Sequence, residues 1–413
     1  MNRACRKRPC RLHAEGPLAP YLEPYAEYLA ERGYSQVSFW KKTFLINEFS
    51  RWLEREGVPV GEITSGHETT FLHDRAGHRV LKGGDRIALS GVTDWLRRQG
   101  VIGGTVVMPA DKSDMDRILL EYRGWLREDR GLAPATIENY TGCVGCFLTE
   151  VSGGSELLLA SVRPVQITDY IRRLAPKDRT FAAAKHIVTA LRSFFRFARF
   201  RDYILIDLSA TVPSVAGWSM ASIPRAMPAE HVRALLAASK TWRTPSGLRN
   251  RAILMLLARL GLRAGEIVRA ELDDIDWNEG VLRVHGKGRA ERPLPLPHDV
   301  GEAIAVYLEQ GRPQTDCRRV FVRSRAPFDG LKSHSDICQI VARAIVRAGI
   351  TPVSKGAHQL RHSLAIDMLH AGATLTDIGQ VLRHGSADAT RRYAKVDLDA
   401  LRQVALPWPG ALP

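Results

Sequence analysis

Four short segments in the last third of the chain hold side chains that together could hold and attack a phosphodiester. Arg263 stands in Gly-Leu-Arg-Ala-Gly-Glu-Ile, and His358 and Arg361 in Ala-His-Gln-Leu-Arg-His. His384 stands in Leu-Arg-His-Gly-Ser, and Tyr393 in Arg-Arg-Tyr-Ala-Lys-Val-Asp. Cutting a phosphodiester without a metal needs a nucleophile in line with the leaving oxygen. It also needs cations on the non-bridging oxygens and an acid for the departing alkoxide. Tyr393 is the candidate nucleophile. A phenol with a pKa of about 10 is inert at neutral pH until its neighbours activate it or stabilise its charge. Arg263 and Arg361 are the candidate clamps, because a guanidinium stays charged and meets two phosphate oxygens at once.

The elements that must position these groups are helical. His358 and Arg361 are three residues apart, so on a helix they share a face. Both histidines can donate to a phosphate oxygen or move a proton. The turn before Ala264 predicts a helix start, whose backbone N–H groups would add to a phosphate pocket. Residues 281–285 and 292–296 read as a β-hairpin around Gly286-Lys287-Gly288-Arg289. Lys287 at its tip is a candidate general acid for the 5′ leaving oxygen. Further helices are predicted over residues 229–260 (two, with Pro228 at the start of the first), 300–310, 335–348, 358–371, 376–382 and 387–394.

Taken singly, each residue has an ordinary reading. Arg263 suits a helix start, Lys287 a hairpin tip, His384 a polar cap, and Tyr393 a half-buried anchor. All of them in order, with the hairpin between the first arginine and the histidine pair, is hard to reach by chance.

The order and spacing of these motifs resemble the tyrosine recombinase (phage integrase) family of DNA strand-exchange enzymes. Residues 227–401 resemble its catalytic domain and residues 111–203 its helical core-binding domain. The resemblance implies a mainly α fold with a small β-hairpin (α+β), the two domains closing as a C-shaped clamp on double-stranded DNA. It assigns Arg263, Lys287, His358, Arg361 and His384 to the pocket and attack to Tyr393. The product would be a 3′-phosphotyrosyl link and a free 5′-hydroxyl, with no ATP, cofactor or metal. A homotetramer on DNA is the implied working form, with accessory recombinases or host proteins as possible partners. One position departs from the family pattern. Arg383 stands where a glycine usually precedes the second histidine, and is expected to lie near DNA or face solvent.

Upstream, the chain is expected to be helical almost throughout. Residues 1–16 form a basic tail. Residues 17–105 form an additional helical domain beyond the common two-domain plan, suited to a second DNA clasp or a protein contact. Within it, residues 21–56 read as two helices broken at Arg32-Gly33-Tyr34-Ser35, and residues 84–99 as another. His67, His73 and His78 read as polar loop residues. A core-binding domain spans 111–205, a linker 213–228, a catalytic domain 229–403 and a Pro-rich tail 404–413. The turn Arg130-Gly131-Leu132-Ala133 repeats the pattern at Gly33, as an internal duplication of a helical hairpin would. On the helix predicted at 181–200 and just after it, Arg192, Arg196, Arg199 and Arg201 are candidate DNA contacts, as is Arg289. A solvated basic face is the alternative. Cys143-x-x-Cys146, a lone pair inside a predicted helix, reads as core rather than a metal site.

Composition agrees with this assignment. The 413 residues carry 59 Lys and Arg against 44 Asp and Glu, a formal net charge of +15 that favours a polyanionic partner. No apolar run approaches the roughly 20 residues that span a bilayer. The basic amino terminus has no apolar segment behind it, unlike a secretory signal. Six cysteines in a chain this long are not a disulfide framework, so a reduced, cytoplasmic setting is expected. The leading function is that of a site-specific integrase or transposase of a mobile element. Two others share the pattern: a type IB topoisomerase-like enzyme, and a DNA-binding protein that keeps the fold without catalysis.

Overall fold

A computed structural model describes residues 15–102, 114–153, 159–174, 181–214, 224–286, 291–351 and 356–396. They fall into two compact units, one drawn from residues 1–104 and 222–413 and the other from 105–221. The fold is mainly helical, with a small antiparallel sheet.

The first unit begins with α1 (Ala19–Glu31), α2 (Gln36–Arg55), α3 (Ser65–Ala76) and α4 (Asp85–Arg98). Gly33 ends α1 at a φ of +75°, a conformation that costs glycine nothing. Ser35 is then extended, and its side chain accepts the N–H of Ser38 at the start of α2. Leu22, Phe49, Trp52, Leu89 and Leu96 form the core of these four helices. Helix α3 corrects the expectation of a loop: His67 and His73 are helical, and His78 follows the helix. A capping box starts it, in which Thr64 Oγ1 accepts the His67 N–H and His67 Nδ1 accepts the Thr64 N–H. Histidine does the work usually given to glutamate there. The inward face rests on Phe71, Leu72 and a buried Glu68 that accepts from Thr93, which is too short an apolar stripe to be periodic.

The second unit contains α5 (Asp114–Glu128), α6 (Pro134–Ser152), α7 (Pro164–Leu174) and α8 (Phe181–Phe200) around Tyr122, Phe147, Leu191, Phe194 and Phe197. Its first turn repeats the one at Gly33. Gly131 has a φ of +57°, and extended Ala133 precedes α6. In α6, Val144 and Phe147 point inward, whereas Cys146 is exposed and Cys143 only half-buried. Cys143 thus packs against the core as the sequence reading expected, and Cys146 does not.

The first unit continues with α9 (Ala229–Ser239), α10 (Pro245–Arg259) and α11 (Ala264–Arg269). Next come β1 (Ile275–Asp276), β2 (Val281–His285) and β3 (Glu291–Pro295), then α12 (His298–Gln310) and α13 (His334–Arg347). The last elements are α14 (His358–His370), α15 (Leu375–Val381), α16 (Ala387–Arg391) and a 3₁₀ segment, Arg392–Val396. Every residue from Ala252 to Ala258 is buried, because α10 is packed by α9, α12, α13 and α14. The strands pair antiparallel in the order β1-β2-β3, with Ile275 opposite Leu282 and Leu282 opposite Leu294. Leu282 and Val284 face the core while Arg283 points out. Strand β1 is too short to show a period. Among the described residues no helix is long and apolar enough to cross a membrane.

Candidate active site

Arg263 is the residue immediately before α11, and its side chain lies between two partners. Nη1 donates to Glu266 Oε1 at 2.8 Å, and Nη2 to the carbonyl of Arg383 at 3.0 Å. Its backbone N–H donates to Glu266 Oε2 at 2.8 Å, the capping contact at the start of α11. Glu266 also accepts from Arg383 Nη2 at 3.1 Å. Burial alone would raise the Glu266 carboxyl, but the Arg263 N–H and the two guanidiniums outweigh it and hold the group ionised. The Arg263 side chain is 38% exposed, against 5% for Arg383, so Arg263 is the cation of the pair that faces outward.

Arg383 is the correction at this site. It neither meets solvent nor stands free for DNA; it is buried against Glu266 and the α10–α11 turn. Its backbone has a φ of +54°, in the left-handed region that glycine occupies without strain. That explains why a glycine suits the position; here the buried guanidinium is paired with Glu266.

Arg361 is anchored by backbone. Nη1 donates to the carbonyl of Gly261 and Nη2 to that of Leu382, tying α14 to the ends of α10 and α15. Each of these nitrogens keeps a second hydrogen for a ligand. Burial and the nearby Arg263 and Arg383 pull its pKa down to about 10, which leaves it charged at neutral pH. His358 lies one turn before His362 on α14, their rings edge to face at 5.6 Å. Loss of water around the ring, then Arg361 and Arg263, push His358 below the usual histidine range.

Tyr393 is 1% exposed and packs on Ala365, Ile378 and Leu382. Its phenol lies 2.8 Å from Nδ1 of His362, a residue the sequence reading did not single out. Burial raises the phenol pKa, opposed by Arg361, Arg392 and Arg263. The His384 ring stacks parallel to Tyr393 at 6.2 Å, and its Nδ1 is 2.6 Å from Thr390 Oγ1. Burial lowers both His362 and His384 to about 4, helped next by His358 at His362 and by Arg361 at His384, so both rings are neutral at pH 7. The signal for His362 was available: it is four residues after His358, on the same helical face. Glu266 had one too, since three residues after Arg263 is the capping-box spacing.

Arg263, His358, Arg361, His384 and Tyr393 are thus assembled by α11, α14, the α15–α16 turn and the 3₁₀ segment. Lys287 and Arg289 lie outside the described residues. In the second unit, Arg192 donates to the Val212 carbonyl at 2.9 Å, and Arg199 pairs with Asp202. Arg201 lies 4.0 Å from Glu121, and Arg196 is exposed.

The phage integrase family profile matches residues 225–399. Over 397 residues the chain is 45% identical to the integrase/recombinase y4rA of Sinorhizobium fredii, covering 96% of each chain. The chain belongs to the tyrosine recombinases of the phage integrase family. It is also 30% identical to tyrosine recombinase XerD of Mycobacterium tuberculosis, across 72% of this chain and 99% of that one. In fold, this recombinase is similar to the XerH site-specific recombinase in its post-cleavage complex with difH DNA. That match has a TM-score of 0.56 and 18% identity, and covers 69% of this chain and 83% of that one. Enzymes of this family break and rejoin DNA, which is the chemistry that a tyrosine beside two arginines and two histidines suits.

Proposed function

We propose that this recombinase cuts double-stranded DNA at specific sites through a 3′-phosphotyrosyl link to Tyr393, and that it serves the movement of a mobile element. The observation that carries the reading is a buried phenol gathered with Arg263, Arg361, His358 and His384 in one pocket. In it, Arg263 and Arg361 hold the non-bridging oxygens of the scissile phosphate, each through N–H groups left over from its anchor. His358 and His384 donate to the same oxygens. Tyr393 attacks phosphorus, the P–O5′ bond breaks, and Lys287 protonates the departing 5′ oxygen. The covalent link conserves the bond energy, so a second 5′-hydroxyl reverses the step and rejoins the strand. Complexes with DNA are known for the structural relatives, among them a transposon integrase bound to transposon end DNA. The relatives' names and the basic charge balance support DNA as the partner here. A homotetramer is the working form proposed for exchange.

The test uses DNA carrying the boundaries of the protein's own genomic locus, incubated in EDTA and run on a denaturing gel. Wild type should form a covalent protein–DNA adduct, and Tyr393→Phe none, with duplex affinity unchanged. Binding without any adduct, even on nicked DNA that traps the intermediate, would leave a DNA-binding role only.

A further inference from the structure

We propose that His362 is the base that removes the phenol proton of Tyr393 as the tyrosine attacks. The proposal rests on the reading of Tyr393 as the nucleophile, and adds to it the one proton that reading leaves unassigned.

Geometry carries it. Nδ1 of His362 is 2.8 Å from the phenol oxygen, and the two rings meet edge to face at 5.7 Å. That is hydrogen-bond reach, the first requirement for a general base. The other polar groups around the phenol are poorer acceptors. Arg361, Arg392 and Arg263 are donors only. His384 faces Tyr393 ring to ring rather than through a nitrogen, and its Nδ1 is engaged by Thr390. His358 meets the His362 ring edge to face at 5.6 Å, and among the described residues it has no hydrogen bond to the phenol. In the proposed tautomer the neutral imidazole carries its hydrogen on Nε2 and presents the Nδ1 lone pair to the phenol O–H.

The charged and titratable groups facing His362 come from three parts of the chain, one of them the α15–α16 turn with His384. His358 and Arg361 lie on α14, and Arg392 and Tyr393 on the 3₁₀ segment. Burial first, then His358 and the guanidiniums of Arg392 and Arg361, hold the ring well down, at about 4. That guarantees a free lone pair at neutral pH, yet makes the ring a weak base while the site is empty. A phosphate between Arg263 and Arg361 changes this, because its negative charge favours the imidazolium that forms. The base would therefore strengthen only when substrate is in place.

The proton inventory closes. The Tyr393 O–H bond breaks and its proton passes to His362 Nδ1. The phenol oxygen bonds to phosphorus, the P–O5′ bond breaks, and the 5′ oxygen takes a proton from a separate acid. In rejoining, the His362 imidazolium returns its proton to the departing phenolate.

The experiment measures single-turnover adduct formation on nicked duplex between about pH 5 and 9, with wild type, His362→Asn, His362→Ala and Tyr393→Phe. Two substrates are used, one with oxygen and one with sulfur at the 5′-bridging position. Sulfur leaves without an acid, so it repairs defects in leaving-group protonation but not in proton removal from the nucleophile. Asparagine can still accept the phenol's hydrogen bond but does not titrate. His362→Asn is expected to slow cleavage about 10²- to 10³-fold on both substrates and to lose the wild-type fall in rate on acidification. Added imidazole should partly restore His362→Ala, a rescue that a misfolded protein would not show.

Three outcomes overturn the proposal. One is a His362→Asn rate within about threefold of wild type. Another is a slowed variant that keeps the wild-type pH profile, which would make His362 a positioning residue. The third is full repair by sulfur, which would place His362 on the leaving group. An adduct in Tyr393→Phe would instead remove the parent reading and leave His362 without a nucleophile to serve.

Discussion

At the scale of single residues, the pocket is a problem of three buried or half-buried guanidiniums and one carboxylate. Arg263 and Arg383 both rest on Glu266, and each depresses the pKa of Arg361. Glu266→Ala would leave these cations facing one another with no counter-charge. Breaking a buried ion pair costs about 3–5 kcal/mol, and the exposure of Arg263 places this case at the lower end of that range. Urea unfolding should register the loss, and adduct formation should vanish even where the variant is folded. A change below about 1 kcal/mol would show that the cations are held by their backbone acceptors alone. The histidines make a second prediction, this one about pH. His362 and His384 are lowered to about 4 in the folded protein, whereas unfolded histidine titrates near about 6.5. Between those values the unfolded chain binds protons that the native state refuses. Their contribution to stability is therefore complete above about pH 6.5, falls as the pH drops through the window, and is spent below about pH 4. Thermal unfolding followed across that range should show the decline, and His362→Asn should make it shallower. An equal slope in the variant would mean that the ring is not the source.

At the scale of elements, the turn between α10 and α11 matters most, because it supplies the acceptor for Arg361 as well as the approach to Arg263. Gly261 has a φ of +57°, and a Cβ there would lie 2.6 Å from Leu382 and 3.0 Å from Leu364. Gly261→Ala combines backbone strain with a clash in the Tyr393 core, at a cost of roughly 1–3 kcal/mol. Its carbonyl, which receives Arg361, must shift with it. Single-turnover cleavage should fall at least tenfold while DNA affinity changes little. Unchanged cleavage would show that the carbonyl anchor is dispensable. This element also marks what the sequence could and could not disclose. The gathering of Arg263, His358, Arg361, His384 and Tyr393 was legible in their types and order, and helical spacing put His358 and Arg361 on one face. Arg383 was visible as an anomaly, but its burial depends on Glu266, 117 residues away. His362 was hidden by its neighbours, since one histidine already accounted for the motif. Helix α3 escaped because two apolar side chains make no period, and β1 because two residues make no strand signal.

At the scale of the molecule, the additional amino-terminal helices and the catalytic helices belong to one compact unit, and their seam is small enough to test. Gly33, in the α1–α2 turn, lies against the ring of Phe328, in the loop that precedes α13. A Cβ at Gly33 would come within 2.4 Å of that ring. Arg32 approaches Asp329 at 3.6 Å, but both side chains are well exposed, so the pair contributes about 0–1 kcal/mol. Packing of Phe328 on the turn is therefore expected to couple the two sets of helices, with the ion pair adding little. The sequence has no signal for this contact, because a loop has no period and the partners are distant in the chain. Asp329→Asn should leave thermal unfolding unchanged. Phe328→Ala removes the ring without disturbing the turn, and should let α1–α4 unfold in a separate, earlier transition in calorimetry, with protease cleavage appearing first in those helices. Gly33→Ala, which disturbs both turn and seam, should act in the same direction and more strongly. If Phe328→Ala still unfolds in one transition, the coupling lies elsewhere. If Asp329→Asn alone separates the transitions, the ion pair is worth more than its exposure allows.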